Sequence, residues 1–308
     1  MARFIFLTDT HLGAANAVGY TQQPRRADQL PALLALLERW IARDAVAQRS
    51  RGGEPVSFIL HGGDMVDEAT LELVRTSADT FRLSVPVVLA LGNHDVTERD
   101  AAALWLSEAR RFFPDGGFVT TLSGEGWMVH VLPTQWCETP YLWEQAQHPH
   151  FLPEHVAALE RKLAARPDAV HLLCAHGEVL GVPSEQIGRR EPYHTPPASY
   201  TAVVRDLLER YPQLRGVLGG HNHINTHGTI ARAHLITGSA LVETPFEFKV
   251  VDVGRGGWSM RTVALLPGVA FRAEYDWDRT FVQGRAQDRA VADDRAVADD
   301  GAVAEHGG

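Results

Sequence analysis

The stretch Phe4-Ile5-Phe6-Leu7-Thr8-Asp9-Thr10-His11 runs from four consecutive apolar side chains into an aspartate and a histidine two positions apart. An unbroken apolar run of this length is the pattern of a strand covered on both faces, so residues 3–8 read as a buried strand. Asp9 and His11, at i and i+2 on extended backbone, point the same way. The pattern recurs downstream. Residues 56–60 are a second apolar run, followed by His61-Gly62-Gly63-Asp64, and 85–91 a third, followed by Gly92-Asn93-His94-Asp95. Between the runs, residues 26–47 place Leu30, Leu33, Leu34, Leu37, Trp40 and Ile41 on one helical stripe. Helices are also expected over 68–83 and 98–111. Strand, helix, strand, helix, strand at this spacing predicts a βαβαβ unit with a parallel sheet. Ligands of such sheets bind at the carboxyl ends of the strands, where these polar clusters fall.

The second half has a different texture. Residues 118–122 and 127–132 read as a hairpin around Gly124-Glu125-Gly126. Helices are expected over 153–165 and 199–210, and strands over 170–175 and 216–218. The last two runs again end in polar clusters, Ala175-His176-Gly177 and Gly219-Gly220-His221-Asn222-His223. Residues 234–237, 246–253 and 258–265 read as the final strands. The expectation is an α/β protein in which a second mixed sheet packs on the first, with helices outside, as a four-layer α-β-β-α sandwich. One domain is expected over residues 1–284. The remainder, 285–308, carries Arg-Ala-Val-Ala-Asp-Asp twice, from Arg289 and from Arg295, and then Gly301-Ala-Val-Ala-Glu-His306. A six-residue repeat keeps no stripe on a helix face, so a solvated, disordered tail is expected.

Composition limits the function classes. The 308 residues include 29 basic and 38 acidic side chains, a net charge of −9, which weighs against a broad basic face for nucleic acid. The two cysteines, Cys137 and Cys174, are not in a C-x-x-C spacing, so no redox pair or zinc knuckle is expected. No apolar stretch approaches the ~20 residues of a membrane span. The N-terminal apolar run is too short for a signal peptide. A cytoplasmic protein that acts on a small molecule is expected, without a membrane or nucleic-acid partner.

Five clusters carry the chemistry. Asp9, His11, Asp64, Asn93, His176, His221 and His223 supply carboxylate, amide and imidazole donors, a set suited to two divalent cations such as Mn, Fe or Zn. Each cluster alone is a weak signal. A single His176 is more often a satisfied core histidine, and Gly-Asn-His-Asp is also a turn whose Asn93 or Asp95 caps a helix. Five clusters in order, most of them at a predicted strand end, are specific. Two cations against two carboxylates leave the centre net positive, which suits a phosphate ester anion. Two ions about 3.5–4 Å apart lower the pKa of a bound water and clamp both oxygens of an in-line displacement.

The ordered set Asp9-x-His11, Gly63-Asp64, Gly92-Asn93-His94, His176 and Gly220-His221-x-His223 resembles the calcineurin-like metallophosphoesterase superfamily, over residues 3–265. The resemblance implies the four-layer sandwich and a partition of ligands. One metal would take Asp9, His11, Asp64 and His223, and the other Asp64, Asn93, His176 and His221. It also implies that His94 is a non-ligand histidine at the scissile phosphate. The start Thr8-Asp9-Thr10-His11-Leu12 looks most like class III cyclic-nucleotide phosphodiesterases and glycerophosphodiesterases. The chain departs from two known branches. Asp64-Met65-Val66-Asp67-Glu68 and Gly92-Asn93-His94-Asp95 lack the Asp-Arg-Gly and Gly-Asn-His-Glu of protein phosphatases. Ala175-His176-Gly177-Glu178 lacks the His-His-Pro of the cyclic-nucleotide branch.

The expected function is phosphate-ester hydrolysis, foremost of small-molecule diesters. A phosphomonoesterase, a nuclease or a non-catalytic binding module are the alternatives. In the expected chemistry His94 stabilises developing charge or protonates the leaving oxygen. Asp95 either orients the His94 ring or caps a helix, and Asp67 either holds a ligand histidine or is a surface residue. Two long loops, 134–151 and 178–200, are where specificity is expected. In them Trp136 or Tyr193 would stack on a base or sugar and Arg189 or Arg190 would hold a phosphate oxygen, or else the aromatics pack the loops and the arginines are solvated.

Overall fold

The computed structural model describes residues 1–18, 24–187, 190–265 and 284–294. Strand β1 (Ala2–Leu7) leads through a small ribbon, β2 (Ala17–Val18) with β3 (Pro24–Arg25), into helix α1 (Leu30–Ser50). Then come β4 (Val56–His61), α2 (Leu71–Thr80), β5 (Val87–Leu89) and α3 (Ala101–Glu108). The hairpin β6 (Thr120–Gly124) and β7 (Trp127–Val131) precedes α4 (Pro153–Ala165) and β8 (Val170–Cys174). A single turn, α5 (Ser184–Ile187), and α6 (Ala198–Arg210) lead to β9 (Leu214–Gly219), β10 (Thr226–Ile230) and β11 (Ala233–Thr237). The last strands are β12 (Glu247–Gly254), β13 (Gly257–Ala264) and β14 (Ala290–Asp294).

Two six-stranded mixed sheets form, in the orders β14-β13-β12-β1-β4-β5 and β10-β11-β9-β8-β7-β6. Strands β1, β4 and β5 are parallel, as the βαβαβ pattern requires. The period-2 rule then sorts the apolar side chains into three layers of core. Ile5 and Leu7 of β1 pack with Leu33 and Leu37 of α1. Phe4 and Phe6 face the other way, into the space between the sheets, with Leu172 and Cys174 of β8. Leu173, on the opposite face of β8, packs with Leu159 of α4 and Leu207 of α6. The four-layer α-β-β-α sandwich is therefore observed. No helix among the described residues is long and apolar enough to cross a membrane.

Two expectations need correction. The strands near residues 246–265 do not join the second sheet. They return to the first, where β12 runs antiparallel to β1 and β13 antiparallel to β12. The cause is visible in β12. Phe248 and Val250 belong to the helix-side core, and Val251 and Val253 to the core between the sheets, so both faces need cover and the strand takes an interior place. The expected disorder from residue 285 does not hold for 285–294. The first copy of the repeat forms β14, antiparallel to β13, and buries Val291 between the sheets. A hexad that suits no helix still alternates with period 2. The rest of the expected tail, 295–308, lies outside the described residues.

Candidate metal centre

All seven candidate ligands are buried, and they converge at one end of the sandwich. The first sheet brings Asp9 and His11 after β1, Asp64 after β4 and Asn93 after β5. The second brings His176 after β8, and His221 and His223 after β9. Donor atoms of Asp9, His11, Asp64 and His223 lie within 4.8 Å of one another, as do those of Asp64, His176 and His221. Asp64 is common to both groups. Asn93 Oδ1 lies 2.9 Å from His221 Nδ1, which adds it to the second.

The backbone bends unusually to achieve this. Asp9, His11, Asp64, His221 and His223 all take left-handed conformations, with φ between 40° and 71°. Such a position costs a non-glycine residue on the order of 1–3 kcal/mol, and it persists only where the surroundings enforce it. Two glycines make room. A Cβ on Gly92 would lie 2.2 Å from Asp64 Oδ1, and one on Gly63 would lie 2.3 Å from His176 Nδ1.

Three imidazoles are held by one nitrogen and present the other to the centre. His11 Nδ1 lies 3.1 Å from Asp67 Oδ1, His223 Nδ1 2.8 Å from Glu243 Oε1, and His176 Nδ1 2.8 Å from Gly62 O. Carboxylate and carbonyl oxygens accept, so each Nδ1 carries a hydrogen and each ring, once neutral, turns an Nε2 lone pair inward. His223 Nε2 is 3.2 Å from Asp9 Oδ1. His176 Nε2, buried and without a hydrogen bond, is 3.2 Å from Asp64 Oδ2. Facing nitrogens and carboxylate oxygens of this kind fit divalent cations.

Electrostatics sorts the four histidines. Burial, aided by neighbouring cationic groups, takes His11 and His221 well below the usual imidazole value. Burial acts on His176 too, but Asp64 outweighs it and raises the ring to about 10. Glu243 and Asp9 likewise overcome burial at His223 and raise it to about 9. Burial opposes the charge on Asp64, yet His176 and its neighbours hold the carboxyl well below the usual range.

The calcineurin-like phosphoesterase family matches residues 2–225 in sequence. The chain belongs to this family. No curated protein matches it in sequence. Among solved structures, a dimetal phosphatase from Danio rerio is similar at a TM-score of 0.64 and 15% identity, covering 85% of this chain and 96% of that one. GAP50, the anchor in the inner membrane complex of Plasmodium, superposes at a TM-score of 0.55 and 12% identity, covering 89% and 87%. A putative 5'-nucleotidase from Staphylococcus aureus gives a TM-score of 0.52 at 15% identity, covering 92% of this chain and 57% of that one. At these identities the likeness concerns the fold. Family membership together with the buried clusters makes this a metal-dependent phosphoesterase with a site consistent with a dimetal centre.

Around the centre of the phosphoesterase, His94 lines a cavity of about 270 Å³ with Arg25, Trp143, Gln147 and His194. Its Nδ1 donates to Asp67 O at 2.7 Å. Asp95 does not orient that ring. Its buried carboxylate accepts from the backbone of Met65 at 2.9 Å, Val66 at 3.2 Å and Gly92 at 2.9 Å, which ties the loop after β4 to the loop after β5. Burial, with Asp64 nearby, raises its pKa to about 7. Asp67 packs against His11 and is joined by Arg25, 3.2 Å from it and 3.9 Å from Glu243.

The expected substrate contacts change. Trp136 is buried behind the centre, its ring 4.6 Å from that of His221, and cannot stack on a ligand in the cavity. Tyr193 pairs through its backbone with Val182, and its ring packs on His194. Arg190 is exposed, and neither residue lines the cavity. Arg189 lies outside the described residues. Trp143 takes the wall instead, its ring 4.8 Å from that of His94 and its Nε1 donating to Ala146 O at 3.0 Å. Sequence reasoning missed Glu243, whose one signal is a carboxylate closing the apolar run Ala240-Leu241-Val242. Arg25 and Gln147 gave no signal.

Proposed function

We propose that this phosphoesterase hydrolyses small phosphodiesters. The observation that carries the reading is the cavity over the ligand cluster, which at about 270 Å³ has room for an ester arm beside the phosphoryl group. Asp9, His11, Asp64 and His223 would hold one cation, and Asp64, Asn93, His176 and His221 the other. When bound, the pair supplies an activated water and neutralises charge on the phosphoryl oxygens.

The chain's own groups do the rest. Asp67 O fixes the hydrogen of His94 on Nδ1, so a protonated ring presents Nε2–H to the cavity. That hydrogen bonds a phosphoryl oxygen and then passes to the leaving alkoxide. Trp143 offers an apolar wall to the alcohol portion, and Arg25 adds positive charge at the cavity edge. Asp95 and Glu243 hold geometry without touching substrate.

The test is hydrolysis of bis(p-nitrophenyl) phosphate beside p-nitrophenyl phosphate, by protein stripped of metal and reloaded with Mn²⁺, Fe²⁺ or Zn²⁺. Metal-dependent cleavage that favours the diester is the expected result. A preference for the monoester would overturn the diesterase reading, and metal uptake with neither activity would favour a binding module.

A further inference from the structure

We infer that the C-terminal segment 284–294, beyond the part of the chain matched by the family, is a positioning element for the metal centre. The inference rests on the dimetal reading of that centre. Both His221 and His223 sit on the connection from β9 to β10, and Asn225 is the post to which that connection is tied. Its Oδ1 accepts from Ser239 N at 3.0 Å and from Lys249 Nζ at 2.8 Å. Its Nδ2 donates to Glu247 Oε2 at 2.7 Å, and its carbonyl accepts from Gln186 Nε2 at 2.9 Å. Every polar atom of the Asn225 side chain is therefore committed.

The C-terminal segment completes this network from outside. Arg289 forms a two-pronged ion pair with the buried carboxylate of Glu247, one prong 2.9 Å long. Asp288, itself fully buried, accepts from His227 N at 2.8 Å, two residues beyond Asn225. Gln287 O lies 3.0 Å from His227 Nδ1. Gly284 takes φ 73° and passes so close that a Cβ there would lie 2.6 Å from Asn225 O. β14 then anchors the segment to β13. Without these contacts the buried carboxylate of Glu247 loses its guanidinium partner, and removing one member of a buried ion pair is strongly destabilising. Relaxation of Glu247 and Asn225 would pass directly to the turn that aims both histidines. Outer groups that aim metal ligands typically change affinity by 10–100-fold.

Four proteins are compared by calorimetric titration with Mn²⁺ and by thermal melting without metal: the full chain, a chain ending at residue 294, one ending at residue 283, and Arg289→Ala. The chain ending at 294 is expected to bind Mn²⁺ like the full chain. The chain ending at 283 and Arg289→Ala are expected to bind it about ten-fold or more weakly. Arg289→Lys is expected to recover part of the loss. Arg289→Ala that melts as a folded protein and binds Mn²⁺ like the full chain would overturn the inference, whether or not the shorter truncation folds. Failure of the full chain itself to take up any divalent cation would instead overturn the dimetal reading.

Discussion

Glu243 Oε1 lies 2.8 Å from His223 Nδ1, and both side chains are buried. The carboxylate fixes the tautomer and the direction of a ring whose other nitrogen faces Asp9. Glu243→Ala should therefore weaken metal binding about 10–100-fold while leaving the fold intact. Titration calorimetry with Mn²⁺ checks this, and an unchanged affinity would show that His223 needs no such support.

Metal uptake should be coupled to protons. In the metal-free protein His176 titrates near 10 and His223 near 9, so both are charged at pH 7. A cation needs both rings neutral, so binding at pH 7 releases about two protons and tightens as pH rises. Calorimetry in buffers of different ionisation enthalpy reads that number directly.

Stability of the metal-free protein has the opposite dependence. The folded-state values of His176 and His223 are raised above the ordinary imidazole value, so their contribution is fully present below about 6.5 and is lost as pH rises through 9 and 10. Metal-free protein should melt at a lower temperature at pH 9.5 than at pH 7, in part through these groups. Removing the counter-charge of His176 with Asp64→Asn should flatten the upper part of the trend and leave the part due to His223, which Glu243 and Asp9 hold.

Gly92→Ala places a methyl 2.2 Å from Asp64 Oδ1 and 2.5 Å from its backbone nitrogen. The neighbour on one side is backbone, so the strain cannot be relieved by a side-chain rotation alone. A loss of about 1–3 kcal/mol is expected. Denaturant melts report that cost, and metal affinity should fall with it because Asp64 belongs to both ligand groups.

His94→Ala should keep both cations, since no donor of either group is removed, yet lose about 10²–10⁴ in turnover of an unactivated diester. The loss should shrink for p-nitrophenyl esters, whose leaving group needs little protonation. Equal losses on both would assign His94 to binding the phosphoryl oxygens alone.

Much of this molecule is readable from its chain. The unbroken run at residues 4–7 and its counterparts locate the central strands because strands covered on both faces need apolar side chains at every position. The clusters after those runs locate the ligands because parallel strands end on one side. What escapes has a physical cause. Glu243 reaches His223 across 20 residues of chain, and no periodicity encodes such a contact. Trp136 reads either as a ligand platform or as loop packing, because a lone aromatic on a loop suits both, and the structure uses it in packing behind His221. Asp95 reads either as a partner of its neighbour His94 or as a helix cap, whereas its oxygens turn back to three backbone amides, of Met65, Val66 and Gly92. The segment 290–294 reads as tail because five small or acidic residues carry little apolar area. It is ordered by a ladder of backbone hydrogen bonds that composition cannot register.

The seven donors divide four and three between the two sheets, and this has a mechanical consequence. Cations seated among them would be cross-links between halves of the sandwich, added to the hydrogen bonds that already cross there from His176 to Gly62 and from His221 to Asn93. Loading should therefore slow amide exchange after β8 and β9 as well as after β1 and β4, whereas a ligand held by one sheet would quiet only its own side. Chelation would unfasten the same seam, so the protein would open first at the edge where it does its chemistry.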